Sequence, residues 1–167
     1  EGNQLTAKSL EGETLNLSGI ESLSEIRIAN VAGEEIFARL KQQLLSQFSA
    51  PIRLAQVSSR LGVLSCGYED PQSLGIDRWL AIAAAYHQFS EPLMVVDAGS
   101  AITIDIIGPS GQHIGGYITP GLRLMHDALW KNTSDVRVVG SGLEELWVPG
   151  KNTQQAVNRG CLLAAAS

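Results

Sequence analysis

Apolar residues recur along the chain with two distinct spacings, and each predicts a different element. Between Glu34 and Phe48 they fall at Ile36, Leu40, Leu44 and Phe48, every fourth position, which predicts an amphipathic helix. Glu34 and Glu35 lie in its first turn, where the helix dipole favours acids, and Pro51 ends it. Glu25–Val31 reads as a strand before this helix, with Ile26 and Ile28 on one face, and Ile52–Val57 as a strand after it. Strand, helix, strand is the order of α/β proteins. Upstream, 4–10 and 14–17 form short alternating segments around Glu11-Gly12-Glu13, which predicts a hairpin. Ser58–Leu74 reads as loop, and a helix follows from about Arg78 to Phe89, with Asp77 as a natural N-cap.

From Leu93 the period changes to that of strands. Leu93–Val96 is a continuous apolar run, read as a buried strand ending at Asp97. The next residues, Ala98, Gly99, Ser100 and Ala101, are all small. Ile102, Ile104 and Ile106 then alternate with Thr103 and Asp105, and after a turn at Pro109–Gly111 the chain returns as a strand over His113–Ile118. An acid at a strand end, beside a tight small-residue turn, can hold a cation while backbone N–H groups face an anion such as a nucleotide phosphate. The same residues also suit a plain β-meander whose turns need Gly and Pro. A helix over Leu122–Trp130, an irregular surface loop over Lys131–Pro149 and a final helix over Gln155–Ala166 complete the reading, with Asn152 and Thr153 as N-caps.

Composition narrows the function classes. The 167 residues, 44% hydrophobic and 17% charged, match a globular chain of one domain or two small lobes. A net charge of −5 argues against a nucleic-acid or anionic-membrane surface. No apolar run is long enough for a membrane span, and no signal-peptide pattern opens the chain. Cys66 and Cys161 lack metal-site spacing and read as reduced, buried thiols of a cytoplasmic protein. His87, His113 and His126 stand apart from one another, against a histidine metal site. The string PGKNT fails as a phosphate-binding loop, because Leu146 stands where Gly is required. The chain starts at Glu1 without Met and stops at Ser167 within the predicted last helix, so a piece of a longer protein is expected.

Three strings, GYEDPQSLGIDRW, DAGSAITID with GQHIGGYITPG, and KNTQQAVNRGC, occur in an order and spacing that resemble type III pantothenate kinase. The resemblance runs from about Ile26 to the last residue. Its most specific part pairs Gly75-Ile76-Asp77-Arg78 with the string from Asp97 to Thr103. It implies an α/β fold of two ribonuclease-H-like lobes in the acetate and sugar kinase, actin-like superfamily. Residues 1–90 would be the N-terminal lobe, lacking its first strands and first phosphate loop, and 91–167 a truncated C-terminal lobe. The implied activity is ATP-dependent phosphorylation of pantothenate, the first step of coenzyme A synthesis.

By that resemblance Asp77 accepts the proton of the substrate hydroxyl. Tyr68, Gly75, Asp77 and Arg78 contact pantothenate, and Thr153 reaches it across a homodimer interface. Gly99, Ser100 and Ala101 meet the ATP phosphates, Asp97 holds a monovalent cation, K⁺ or NH₄⁺, and Mg²⁺ accompanies ATP. Plainer readings stand beside these: Asp77 and Thr153 as helix caps, Arg78 paired with a surface carboxylate, Tyr68 as a loop aromatic and Asp105 as structural. The resemblance also implies an Asp-x-Gly-Asn-[ST] loop near the start and a later Gly-Gly string near adenine, neither of which is present. Ser100 stands where Thr is commoner. Three other functions keep the same residues: a non-catalytic regulatory homologue, another actin-like phosphotransferase or phosphatase, and a fragment that only mediates dimerisation.

Overall fold

The computed structural model describes residues 19–20, 22–130 and 147–166. The hairpin expected within 4–17 and most of the surface loop expected over 131–149 lie outside them.

Two parallel strands open the described chain, β1 (Ile26–Ile28) and β2 (Ile52–Leu54), joined through helix α1 (Glu34–Gln47). Parallel neighbours need a crossover, and α1 supplies it. Its predicted stripe is the face that packs: Leu44 and Phe48 are buried with Ala50, against Ile26, Ile28, Leu40 and Ile52. Gly33, with φ 88°, takes the left-handed conformation that starts the helix without a side-chain cap.

The stretch expected to be loop carries more structure than its composition indicated. A hairpin of β3 (Arg60–Leu61) and β4 (Leu64–Ser65) turns on Gly62, and a single 3₁₀ turn follows over Pro71–Ser73. Asp70 caps that turn, accepting from the Gln72 amide at 3.0 Å. Strands of two residues are too short to leave a periodic signal.

Helix α2 (Ile76–Phe89) begins two residues before the expected start. Its N-cap is Gly75, so Asp77 sits in the first turn and is not the cap. Ile76, Trp79, Ile82 and Tyr86 form its buried face and join Val57, Leu64, Leu74 and Ile107 in the main core. Leu93 and Val95 pack against the same cluster, which therefore couples α2 to the sheet that follows.

That sheet is the expected meander: β5 (Leu93–Ala98), β6 (Ala101–Ile107) and β7 (His113–Pro120), antiparallel in the order β5-β6-β7. Val95, Asp105 and Gly116 are aligned across it, as are Asp97, Thr103 and Ile118. The alternation in β6 is present, and the row bearing Asp105 and Ile107 is the one that is buried. Between Ile106 and Ile107 the register slips, so Ile107 faces His113 rather than Ile114. A bulge of this kind redirects side chains: His113 turns inward and is 2% exposed, while Ile114 is left 61% exposed. Helices α3 (Leu122–Trp130) and α4 (Thr153–Ala166) pack on each other beyond the sheet. No described helix is long and apolar enough to cross a membrane.

Candidate active site

The start of α2 is where the chemistry gathers. Arg78 turns inward, 7% exposed, and meets Asp105 on β6. Its Nε donates to Asp105 Oδ2 at 2.9 Å and its Nη2 to Oδ1 at 2.6 Å, a two-point pair buried on both sides. This geometry matches the planar guanidinium to both carboxylate oxygens. Nη1 donates to the Tyr68 hydroxyl at 3.0 Å. The Asp105 hydrogen bonds, followed by the one to Tyr68, push the Arg78 guanidinium above its ordinary value and keep it charged.

His113 completes the cluster. Its Nε2 lies 2.8 Å from Asp105 Oδ1, and since a carboxylate paired to arginine only accepts, Nε2 carries the proton and donates. The Tyr68 ring stacks on the imidazole, centroids 5.8 Å apart and planes 17° from parallel. Two glycines make room. A Cβ on Gly116 would lie 2.5 Å from Asp105 Oδ1 and 2.6 Å from Arg78 Nη2. One on Gly67 would lie 1.8 Å from the His113 carbonyl oxygen.

Asp77 differs from its neighbour in every respect. It is exposed, and Oδ1 accepts the Arg78 backbone N–H at 2.9 Å. Oδ2 has no hydrogen-bond partner among the described residues. Gly75 lies so close that a Cβ there would stand 2.6 Å from Asp77 Oδ1. The carboxylate is thus held by one oxygen and presents the other, as an acceptor of a proton must.

Asp97, the last residue but one of β5, lies on the sheet face that carries Asp105, being paired with Thr103, two positions away on β6. Diagonal neighbours of this kind are separated by about 7–8 Å. Asp97 is exposed and has no ion pair, and no cluster of three or more His, Cys, Asp or Glu occurs among the described residues. A single carboxylate is too few for an all-protein oxygen cage around a divalent ion. Gly99 and Ser100 form the two-residue turn between β5 and β6, followed by Ala101. The glycine that this turn needs is Gly121, whose Cβ would lie 2.1 Å from the Gly99 oxygen and whose N–H bonds Ser100 O at 2.9 Å.

Thr153 is not brought to this cluster within the chain. It is the first residue of α4, and the cap is Asn152, whose Oδ1 accepts from the Gln155 amide at 2.9 Å. Thr153 is exposed and lines an apolar groove between α3 and α4, of about 640 Å³, with Leu124, Ala128 and Gly160.

Of the residues singled out in the sequence, Tyr68, Gly75, Asp77 and Arg78 come together. Asp97 shares a sheet face with their partner Asp105. Sequence alone leaves Asp105 as structural and His113 as an isolated histidine, and it assigns no role to Gly116. For Asp105 the available signal is a charged residue in the middle of a strand whose other residues are apolar or threonine; the bulge that turns His113 inward leaves no such sign.

A family model described as type III pantothenate kinase matches residues 3–167. The chain belongs to the type III pantothenate kinase family. A type III pantothenate kinase of Teredinibacter turnerae is 39% identical over 159 residues, covering 95% of this chain and 64% of that protein. One from Chromohalobacter salexigens is 40% identical over 153 residues, covering 91% and 54%. The chain therefore spans under two thirds of the length of these relatives. A crystal structure from Campylobacter jejuni, described as a Baf family transcriptional activator, aligns with TM-score 0.57 and 28% identity, over 87% of this chain and 62% of that one.

Proposed function

We propose that this protein transfers a phosphoryl group from ATP to the primary hydroxyl of pantothenate, opening coenzyme A synthesis in the cytoplasm. The observation that carries the reading is the pairing of opposites at the start of α2: an exposed Asp77 next to an Arg78 locked in a buried pair. Phosphoryl transfer asks for positioning and charge stabilisation more than for covalent chemistry. Asp77 Oδ2 takes the hydroxyl proton as the oxygen attacks the γ-phosphorus of ATP, and the bond from that phosphorus to the bridging oxygen breaks as ADP leaves with the electron pair. Tyr68, Gly75 and Arg78 orient pantothenate, whose carboxylate suits the two Arg78 N–H groups left unused and the Tyr68 hydroxyl proton. Gly99, Ser100 and Ala101 line the phosphate side. Asp97 would hold K⁺ or NH₄⁺ there, and Mg²⁺ would arrive with the ATP phosphates.

The lobes are divided between α2 and β5, at residue 90, as two ribonuclease-H-like halves. The active form is a homodimer in which Thr153 of each chain approaches the other's Tyr68–Arg78 region. Light scattering at micromolar concentration tests this, and a monomer counts against it. Activity is tested by following ³¹P signals of the longest expressed form with pantothenate, ATP, Mg²⁺ and K⁺. A new phosphomonoester signal is expected; its absence, with pantothenate giving no thermal shift, defeats the reading. The Campylobacter jejuni relative motivates a second reading, a regulatory homologue. The net charge of −5 argues against direct DNA contact in that role.

A further inference from the structure

Asp105 and His113 have no part in the roles above, yet the fold makes several local concessions to them. The bulge in β7 turns a histidine inward and an isoleucine out, although the site beside Ile107 suits an apolar side chain. His113 Nδ1 is left buried with no hydrogen-bond partner among the described residues. Gly115, with φ 141°, gives the chain its unusual path at the bulge, and Gly116 keeps clear of the ion pair. For stability alone, a buried ion pair is commonly matched by apolar residues of the same size. An exposed isoleucine and an unsatisfied imidazole nitrogen add further cost. What the arrangement does provide is orientation. Asp105 fixes two Arg78 nitrogens, His113 fixes the shared oxygen of Asp105, and the His113 ring fixes the plane of Tyr68. Because the Tyr68 oxygen accepts from Arg78, its own proton is free to point elsewhere.

We propose that Asp105 and His113 are positioning residues: they touch no substrate and hold Arg78 and Tyr68 so that both donate to the carboxylate of the acceptor substrate. The proposal rests on the kinase reading and deepens it.

Two variants of His113 separate orientation from mere packing. His113→Phe keeps the ring against Tyr68 and loses the donor, whereas His113→Gln places an N–H near the Nε2 position and loses the ring. The Michaelis constants for pantothenate and ATP are measured separately for each, with Asp105→Asn as the stronger perturbation. The exchange rate of the Arg78 Nε–H proton is followed by ¹⁵N NMR. His113→Phe is expected to raise the pantothenate constant about tenfold or more and leave the ATP constant within about twofold, the signature of a lost substrate-binding contribution. His113→Gln is expected to restore most of it. Arg78 Nε–H exchange should quicken about tenfold in His113→Phe and much less in His113→Gln, as a looser hydrogen bond requires. Equal rises in both Michaelis constants, or equal behaviour of the two variants, overturn the proposal. If the wild-type protein shows no pantothenate-dependent turnover, the kinase reading fails and the substrate part of the proposal falls with it. The arginine exchange then decides the holding role alone: a difference between Phe and Gln supports it and equality overturns it.

Discussion

Replacing Gly116 by alanine would put a methyl group into a place where the site has no slack. The new Cβ would lie 2.3 Å from the Ile104 carbonyl oxygen, 2.5 Å from Asp105 Oδ1 and 2.6 Å from Arg78 Nη2. All three are far inside van der Waals contact, and the first is backbone in the middle strand of a sheet. The methyl is accommodated only if β7 moves away from β6 or if the Arg78–Asp105 pair opens. Overpacking of this kind costs about 1–3 kcal/mol. Opening a buried pair, with one charge left uncompensated, costs about 3–5 kcal/mol. The structure takes the cheaper route in part, so a loss of about 2–4 kcal/mol is expected, between the overpacking and pair-breaking ranges. For a chain of this size that lowers Tm by roughly 4–16 °C. Urea denaturation monitored by tryptophan fluorescence gives the free energy directly, and Trp79 in the main core is a suitable reporter. A loss below about 0.5 kcal/mol, the range of ordinary surface substitutions, would mean that the close approach of β7 to the ion pair is not real.

Other consequences are simpler to check. Gly160 lies inside α4 with open space where a Cβ would go, so Gly160→Ala should stabilise by about 0.5–1 kcal/mol in the same denaturation assay; destabilisation would show that something closes over that face. Burial pushes the Cys161 thiol above its ordinary 9.0, so the unfolded chain gives up the proton first and folding stability falls as pH rises past that value. Denaturation at about pH 8 and about pH 10 should show a smaller loss in Cys161→Ala than in wild type, and equal losses would contradict the burial of this thiol. Asp97→Asn should raise the half-saturating K⁺ concentration about tenfold, equivalent to about 1.4 kcal/mol. An unchanged K⁺ titration would remove the cation from Asp97.

Much of the scaffold was legible because its elements bury one face. The four-residue spacing from Ile36 to Phe48 placed α1 within a residue of its end, and Leu122–Trp130 matched α3 at both bounds. The misses have local causes. Asp77 is a favoured capping residue, but Gly75 lets the backbone enter the helix earlier, which leaves the carboxylate in the first turn and open. Asn152 and Thr153 are both good caps, and only the structure shows that Asn152 takes the Gln155 amide. The site was legible as far as its strings were local: Tyr68 and the Gly75–Arg78 stretch lie ten residues or fewer apart. Asp105 and His113 reach Arg78 only through sheet register and one bulge, and such pairings leave no trace in the spacing of a single sequence.

The central claim is that Asp77 accepts the proton of the pantothenate hydroxyl, and steady-state kinetics of Asp77→Asn tests it most directly. Asparagine keeps the shape and can still accept the Arg78 amide through its carbonyl oxygen, so the fold and the pantothenate Michaelis constant should stay within about threefold of wild type. Turnover should fall by about 10²- to 10⁴-fold, the usual contribution of a placed general base. A loss smaller than about tenfold, below that range, would show that another group takes the proton and that Asp77 serves only the first turn of its helix.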